Sequence, residues 1–377
     1  MHMDDAIYAD ESIYEYPMQQ GGGNDGRPYS FGRPSSGGSK AAYPCKSYGQ
    51  GRINPAYFYG VFDPNDMRRD VSITMTGSNG KGVEKLIPFV PNSKAEGGGL
   101  TLNKWDENRQ ANPWVAAQRK SGINGPYMRM SEVYLGYAEV CAALGDVVTG
   151  KQYLKTVRER SFPQGLANTD AFIASFGNDL VRAIIEERGF EYAGEGDRRW
   201  TLIRSGYLPE DIKRIKDMTK AMMDGLATKG YYEFENGNII SAYIWTKLVD
   251  AKTIYGHRLT AQCPTDKVND PVLYPGWRGQ KDNWEEMGLN YGSSTPATNL
   301  AIKGLFEIVS EEEAASLESQ GYAKVNWGID LVDYRDEYDK YLFWDYDYVS
   351  APIYLWPFTP NVMAAGGFTN GYGFKQE

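Results

Sequence analysis

GPYMRMSEVYLGYAEVCAALGDVVTGKQYLKTVRER, residues Gly125–Arg160, is the stretch whose reading decides the fold. Pro126 stands where a helix can begin, because a first-turn proline gives up an N–H that had no partner anyway. Met130, Val133, Tyr134, Tyr137, Ala138 and Cys141 then fall at i, i+3, i+4, i+7, i+8 and i+11. That spacing predicts a helix buried along one apolar face. Gly145 follows the last periodic residue, Leu144, where a left-handed C-terminal cap is wanted. A second run places Tyr153, Leu154 and Val157 inward and Lys155, Arg158 and Arg160 outward. The stretch reads as an antiparallel α-hairpin.

Around it lies a chain of 377 residues, long enough for one large domain or two ordinary ones. Its net charge of −9 argues against nucleic acid, whose phosphates require a basic face. With 28 Tyr and 9 Trp the chain is ring-rich, yet its mean hydropathy is −0.53. Such chains either fill the core with rings or display Tyr and Trp at binding surfaces. Cys45, Cys141 and Cys263 are too few for a disulfide framework and lack zinc-type spacing; Cys141, on the apolar helix face, reads as inert core. No stretch approaches the ~20 apolar residues of a transmembrane helix. The start, MHMDDAIYADES, has neither the positive nor the apolar region of a signal peptide.

Residues 1–56 read as an irregular region rich in Gly, Ser, Pro and Tyr, and 57–377 as the main domain. Gln19 to Lys40 is loop chemistry, but Tyr29, Phe31, Tyr43 and Tyr48 recur through and after it, whereas linkers are usually ring-poor. Asp63-Pro64-Asn65 is a turn, Val71–Met75 alternates as a short strand does, and a return strand is expected within Val83–Val90. Lys104, Trp105, Arg109, Trp114, Arg119 and Lys120 read as solvated charges around packed tryptophans.

Beyond the hairpin, Thr169 is a plausible N-cap for a helix with Phe172, Ile173, Phe176, Leu180, Ile184 and Ile185 inward. Glu187, Glu191 and Glu195 follow on one face if the helix continues, and three such carboxylates repel unless cations neutralise them. Arg198, Arg199 and Arg204 are the obvious local supply, so a structural ion-pair network is expected over a glycosidase-like acid pair. Another helix is written in KRIKDMTKAMMDGLATKG, with a hairpin turn after it at Glu235–Asn238, and Ser310 caps an acidic helix in IVSEEEAASLES. The irregular stretch from His257 to Asn299 is too long for a purposeless loop. There Trp277 beside Arg278, with Trp284 near, offers flat faces next to donors, a pairing that suits sugars. Asp333 to Asp347 lacks the spacing of an EF-hand, and no nucleophile elbow or metal-ligand cluster is written anywhere.

Three segments together resemble the SusD/RagB family of outer-membrane nutrient-binding lipoproteins. The first holds Met128, Arg129, Glu132, Tyr134, Leu135, Tyr137, Ala138 and Glu139, then Leu144-Gly145-Asp146, then Val157, Arg158 and Arg160. The second is Glu187, Arg188, Glu191, Glu195, Gly196, Arg198, Leu202 and Arg204, with Thr201 where the family usually has Asp. The third is the end, Tyr354–Pro360 and then Thr369–Tyr372, with FDPNDMRRD at Phe62 a lesser match upstream.

The resemblance implies a mainly α fold with tetratricopeptide-like hairpins, long irregular loops and minor β. It implies a non-catalytic protein, without cofactor or metal, that binds oligosaccharide or polysaccharide. A TonB-dependent transporter of the SusC type would receive the ligand, with peptide or glycoprotein as the alternative ligand. Family members are surface lipoproteins of the outer membrane, with a helical first half and a lipidated cysteine not found here. This chain is therefore expected to be the C-terminal portion, meeting the membrane only through that anchor. The ligand face is expected on the irregular stretches, at Tyr29, Phe31, Tyr43, Tyr48, Trp277 and Trp284.

Overall fold

The computed structural model describes residues 10–22, 53–78, 84–87, 89, 99–102, 104–105, 122–250, 298–336, 347, 350, 354–355, 358–367 and 369. In chain order these form β1 (Ser12–Tyr16), α1 (Pro55–Gly60) and α2 (Met67–Ser72), then β2 (Ile73–Thr74), β3 (Thr76–Ser78), β4 (Glu84–Leu86) and β5 (Thr101–Leu102). β6 (Gly125–Arg129) runs straight into α3 (Met130–Ala143) and α4 (Val147–Arg158). Next come α5 (Thr169–Ala174), α6 (Leu180–Glu191), α7 (Asp197–Ser205) and α8 (Leu208–Lys229). The remainder is β7 (Tyr231–Glu233), β8 (Ile239–Ser241), β9 (Tyr243–Asp250), β10 (Thr298–Lys303), α9 (Glu311–Ser319), β11 (Ala323–Asn326), α10 (Gly328–Asp333) and α11 (Pro360–Gly366). The fold is mainly helical, and its largest described sheet has three strands, ordered β10-β9-β11.

The expected hairpin is α3 and α4. Gly145 sits at φ 88°, the left-handed turn between them, and the Asp146 carboxylate accepts from the Thr149 N–H at 3.1 Å to cap α4. Two expectations about it fail. Pro126 belongs to a strand, not a first helical turn, because Gly125–Arg129 pairs antiparallel with Ser12–Tyr16.

The helix is also rotated from its expected register. Ser131, Leu135, Ala138 and Cys141 are buried, while Val133 is 44% and Tyr137 50% exposed. The cause is close packing on small residues. A Cβ added at Gly150 of α4 would stand 3.0 Å from the Ala138 carbonyl oxygen and 3.2 Å from Leu180. So near an approach admits the Ser131/Ala138 side of α3 and turns its larger side chains out. Leu135 and Ala138 then join Leu154, Val157, Leu180, Ala183 and Ile184 in one apolar cluster. Cys141 is buried and free, as expected.

The helix expected from Thr169 is two helices. Asn168, not Thr169, caps α5, and Gly177 and Asn178 take positive φ of 65° and 64° to break the run. Asp179 then restarts it, accepting from the Arg182 N–H at 3.0 Å. Val71–Met75 is likewise split between the end of α2 and the short strand β2, while β3 pairs with β4 inside Val83–Val90.

The helix over Leu208–Lys229, the Glu235–Asn238 turn between β7 and β8, and the Ser310 capping box on α9 all form as expected. That turn also ties down α1: Asn236 and Asn238 donate to the Tyr59 carbonyl at 2.8 and 2.7 Å. The larger core there is built of rings, with Phe58, Tyr59, Phe62, Phe89, Phe306 and Trp327 all buried. Trp327 Nε1 donates to Tyr59 Oη at 2.8 Å, which satisfies both polar tips inside the core.

Candidate functional site

α6 is where the sequence puts charge into the interior. Its Arg182, Glu186, Glu187, Arg188 and Glu191 are all buried, which requires partners for each. The helix ends at Glu191, so Glu195 comes from the following turn rather than the same helical stripe.

Those partners are distant in sequence. Glu187 accepts from Arg68 at 2.6 Å and from Arg158 at 2.9 Å. Glu191 accepts from Arg68, Arg129 and Arg160 at 3.0, 2.7 and 2.8 Å. Glu195 accepts from Arg129 at 2.9 Å and from Lys104. The structural ion-pair network forms, but Arg198, Arg199 and Arg204 do not supply it. Arg198 binds Glu186 and Asp211 at 2.9 and 3.0 Å, Arg199 donates to the Tyr354 carbonyl at 3.1 Å, and Arg204 forks onto Glu139. The turn through Gly194 and Gly196, at φ 81° and 91°, carries α7 away from the Glu187–Glu191 face, so the local arginines reach other acids.

Two further charges expected in water are interior. Arg158 is 2% exposed and Lys104 9%, the first drawn in by the buried Glu187 and the second by Glu195 and the Glu191 carbonyl. Thr201, the departure from the family pattern, is buried between partners. It donates to Asp197 at 2.8 Å and accepts from Arg188 Nε at 3.3 Å, while Arg188 Nη2 holds Asp197 at 2.6 Å.

The electrostatics follow from this crowding. Burial alone would raise Glu191, but Arg68, Arg129, Arg160 and Lys104 hold it well below the carboxylate range. Glu186 is held at about 2: its burial is outweighed by Arg198, Arg214 and Arg182. Glu187 goes the other way, because complete burial outweighs its two arginines and pushes it up. Burial likewise lowers Lys104 against the pull of Glu195.

Beside this network lies a cavity of about 860 Å³. The buried indole of Trp105, fixed by a 3.1 Å hydrogen bond from Nε1 to the Gly194 carbonyl, forms part of its wall. Tyr57, whose hydroxyl donates to the Gly189 carbonyl at 3.3 Å, and Tyr192 add two more rings. At the rim Tyr127 is 80% exposed and stands edge-on to Tyr14 at 5.9 Å between ring centroids. Glu132 and the first turn of α7 add polar groups to the lining, and Gly196 begins that turn without a side-chain cap.

The residues expected at the ligand face, Tyr29, Phe31, Tyr43, Tyr48, Trp277 and Trp284, all lie outside the described residues, as do Arg109, Trp114, Arg119 and Lys120. The cavity residues were not singled out as a site by the sequence. No period of two marked β6, the strand that carries some of them: Tyr127 and Met128 are both exposed between buried Gly125 and Arg129. Among the described residues no three His, Cys, Asp or Glu side chains gather as a metal ion would require, and no helix is long and apolar enough to cross a membrane.

A SusD-like protein of Formosa agariphila is 28% identical over 160 residues, 42% of this chain and 26% of that protein. The chain thus matches about a quarter of that relative's length. Surface glycan-binding protein A of Bacteroides thetaiotaomicron aligns at a TM-score of 0.36 and 18% identity, over 55% of this chain and 45% of its own. That protein has also been solved in complex with laminarihexaose. A SusD homologue from the same organism aligns at 0.31 and 22%, over 42% of this chain and 33% of its own. The model of the SusD family matches residues 7–359, nearly the whole chain, and by that match the chain belongs to the SusD family.

Proposed function

We propose that this chain is part of a non-catalytic protein of the cell surface that captures oligosaccharide. It would pass the ligand to a TonB-dependent outer-membrane transporter of the SusC type. The observation that carries the reading is the family match over residues 7–359.

The chemistry of the described acids agrees with binding rather than hydrolysis. Glycosidases need two carboxyl groups facing one sugar, one of them free to give up a proton. Glu187 and Glu191 instead sit in the interior, each held by at least two arginines. Aromatic loops remain the proposed ligand face, at Tyr29, Phe31, Tyr43, Tyr48, Trp277 and Trp284, because loops present flat rings at angles a convex helix cannot. The hand-off needs a surface that meets protein. Val133, Tyr137, Val140 and Leu144, an apolar stripe that α3 leaves 44–82% exposed, supports one.

The test is calorimetry of the chain against a panel of oligosaccharides and peptides, with chromatography of each ligand after long incubation. The expected result is glycan binding with the ligand recovered intact. Shortened glycan would establish an enzyme, and binding of peptide alone would favour a peptide or glycoprotein ligand.

A further inference from the structure

We infer that the cavity beside the C-terminal end of α6 is itself a glycan subsite, selective for a neutral oligosaccharide that enters over Tyr127. This deepens the proposed binding function and rests on it.

Size comes first. About 860 Å³ lies within the roughly 300–1,000 Å³ of small-molecule sites, so the space admits a short run of sugar rings. The walls suit such rings. Sugars present C–H faces to aromatics and hydroxyls to polar groups, and the cavity has the half-buried ring of Tyr57, with Trp105 and Tyr192 buried in its wall, beside Glu132 and the uncapped first turn of α7. Tyr127 makes the entrance: its ring is 80% exposed, steadied edge-on by Tyr14. A large ring held out in water beside a cavity gains area only when something flat lies on it.

Neutrality follows from what the charged lining residues already hold. Arg129 is engaged by Glu11, Glu191 and Glu195, and Arg198 by Glu186 and Asp211. Asp197 is engaged by Arg188 and Thr201. Recruiting Arg129 or Arg198 for an anionic sugar would strip cations from buried glutamates, a large penalty, and Arg199, which also lines the cavity, is tied to the Tyr354 carbonyl at 3.1 Å. Glu132 differs: its side chain is 41% exposed and its cationic neighbour, Arg188, stands 3.5 Å away. A half-exposed carboxylate accepts from sugar hydroxyls and repels an acidic sugar.

The experiment is calorimetry of the full chain with laminarihexaose, maltohexaose, cellohexaose and an oligogalacturonide. Wild type is compared with Tyr127→Ala, Glu132→Gln and Trp200→Ala. Trp200 is 60% exposed but does not line the cavity, so it controls for the loss of a surface ring. Circular dichroism confirms that each variant folds, which is expected because none of these side chains is buried.

The expected result is a neutral hexasaccharide whose Kd rises about tenfold in Tyr127→Ala, the scale of one lost ring stack, and is unmoved in Trp200→Ala. Glu132→Gln should weaken the neutral ligand less and narrow the preference over the oligogalacturonide. If a glycan binds and both cavity variants match wild type, the subsite is overturned while glycan binding stands. Preference for the oligogalacturonide overturns the neutrality. If no glycan binds, both readings fall.

Discussion

Two helices carry runs of glutamate and sit in opposite surroundings. α6 holds Glu186, Glu187 and Glu191, all at most 5% exposed, whereas α9 holds Glu311, Glu312, Glu313 and Glu318 and buries nothing. Acid content therefore says little about burial. What decides is whether cations arrive from elsewhere in the chain. Arg68 reaches Glu187 across 119 residues and Arg129 reaches Glu191 across 62, while the Ser310–Glu313 cap of α9 is closed within 3.

The largest effect should come from unbalancing the α6 network. Glu191→Gln leaves Arg68, Arg129 and Arg160 short of a shared counter-charge, so about 3–5 kcal/mol of stability should be lost. Urea denaturation checks it. A loss below 1 kcal/mol would mean that the network is no more than a surface cluster.

Acid should find the same weakness. Glu186 and Glu191 have folded pKa values below their ordinary 4.5, so the stability they add is complete above that value and lost as pH falls below it. For Glu186 the loss runs from about 4.5 down to about 2. Glu187 opposes them: its raised value means that protonation relieves a burial cost as pH falls. Above 4.5 only Glu187 acts, so melting temperature should hold or rise slightly as pH falls from 7 to 5, and then fall below 4.5 as the two depressed groups lose their contribution. A curve flat to pH 3 would break the contrast with α9.

What the sequence tells and withholds follows the same line. Ser310, Gly145 and the Glu235–Asn238 turn act on backbone a few residues away, and each was legible. The second family segment pointed to Glu187, Glu191 and Glu195, but their true partners depend on tertiary approach. Periodicity likewise predicted that α3 is a helix but named the wrong inward face: it put Val133 and Tyr137 inside, where Leu135 lies instead. Gly150 chose between the two faces by admitting α3 on its small-residue side. Leu135→Ala should therefore cost about 2–5 kcal/mol, and Tyr137→Ala about 1, the scale of its edge-on contact with Tyr153 at 5.0 Å. Equal costs would return the helix to its simpler register. The cavity stayed hidden for a related reason: its walls come from α1, β2, β5, β6, α3, α6, α7 and α8, which no local pattern joins.

On α9 the effects should be small and local. Ser310→Ala removes a hydroxyl that caps the Glu313 N–H at 3.2 Å and itself donates to the Glu313 carboxylate at 2.7 Å. The expected cost is about 1 kcal/mol, with amide exchange rising over the first turn of α9 and unchanged over α6.

The smallest effect sharpens the comparison most. Glu312→Gln makes the same chemical change as Glu191→Gln, carboxylate to amide at nearly constant volume, on a side chain that is exposed. Its remaining interaction is with the N-terminal end of its own helix dipole, a term of a few tenths of a kcal/mol that salt screens. Stability should change by less than about 0.5 kcal/mol, and 0.5 M salt should erase even that. The Glu191→Gln loss, arising between buried charges, should survive the same salt. If both losses shrink together, the α6 network is screened as a surface is, and the distinction between the two helices fails.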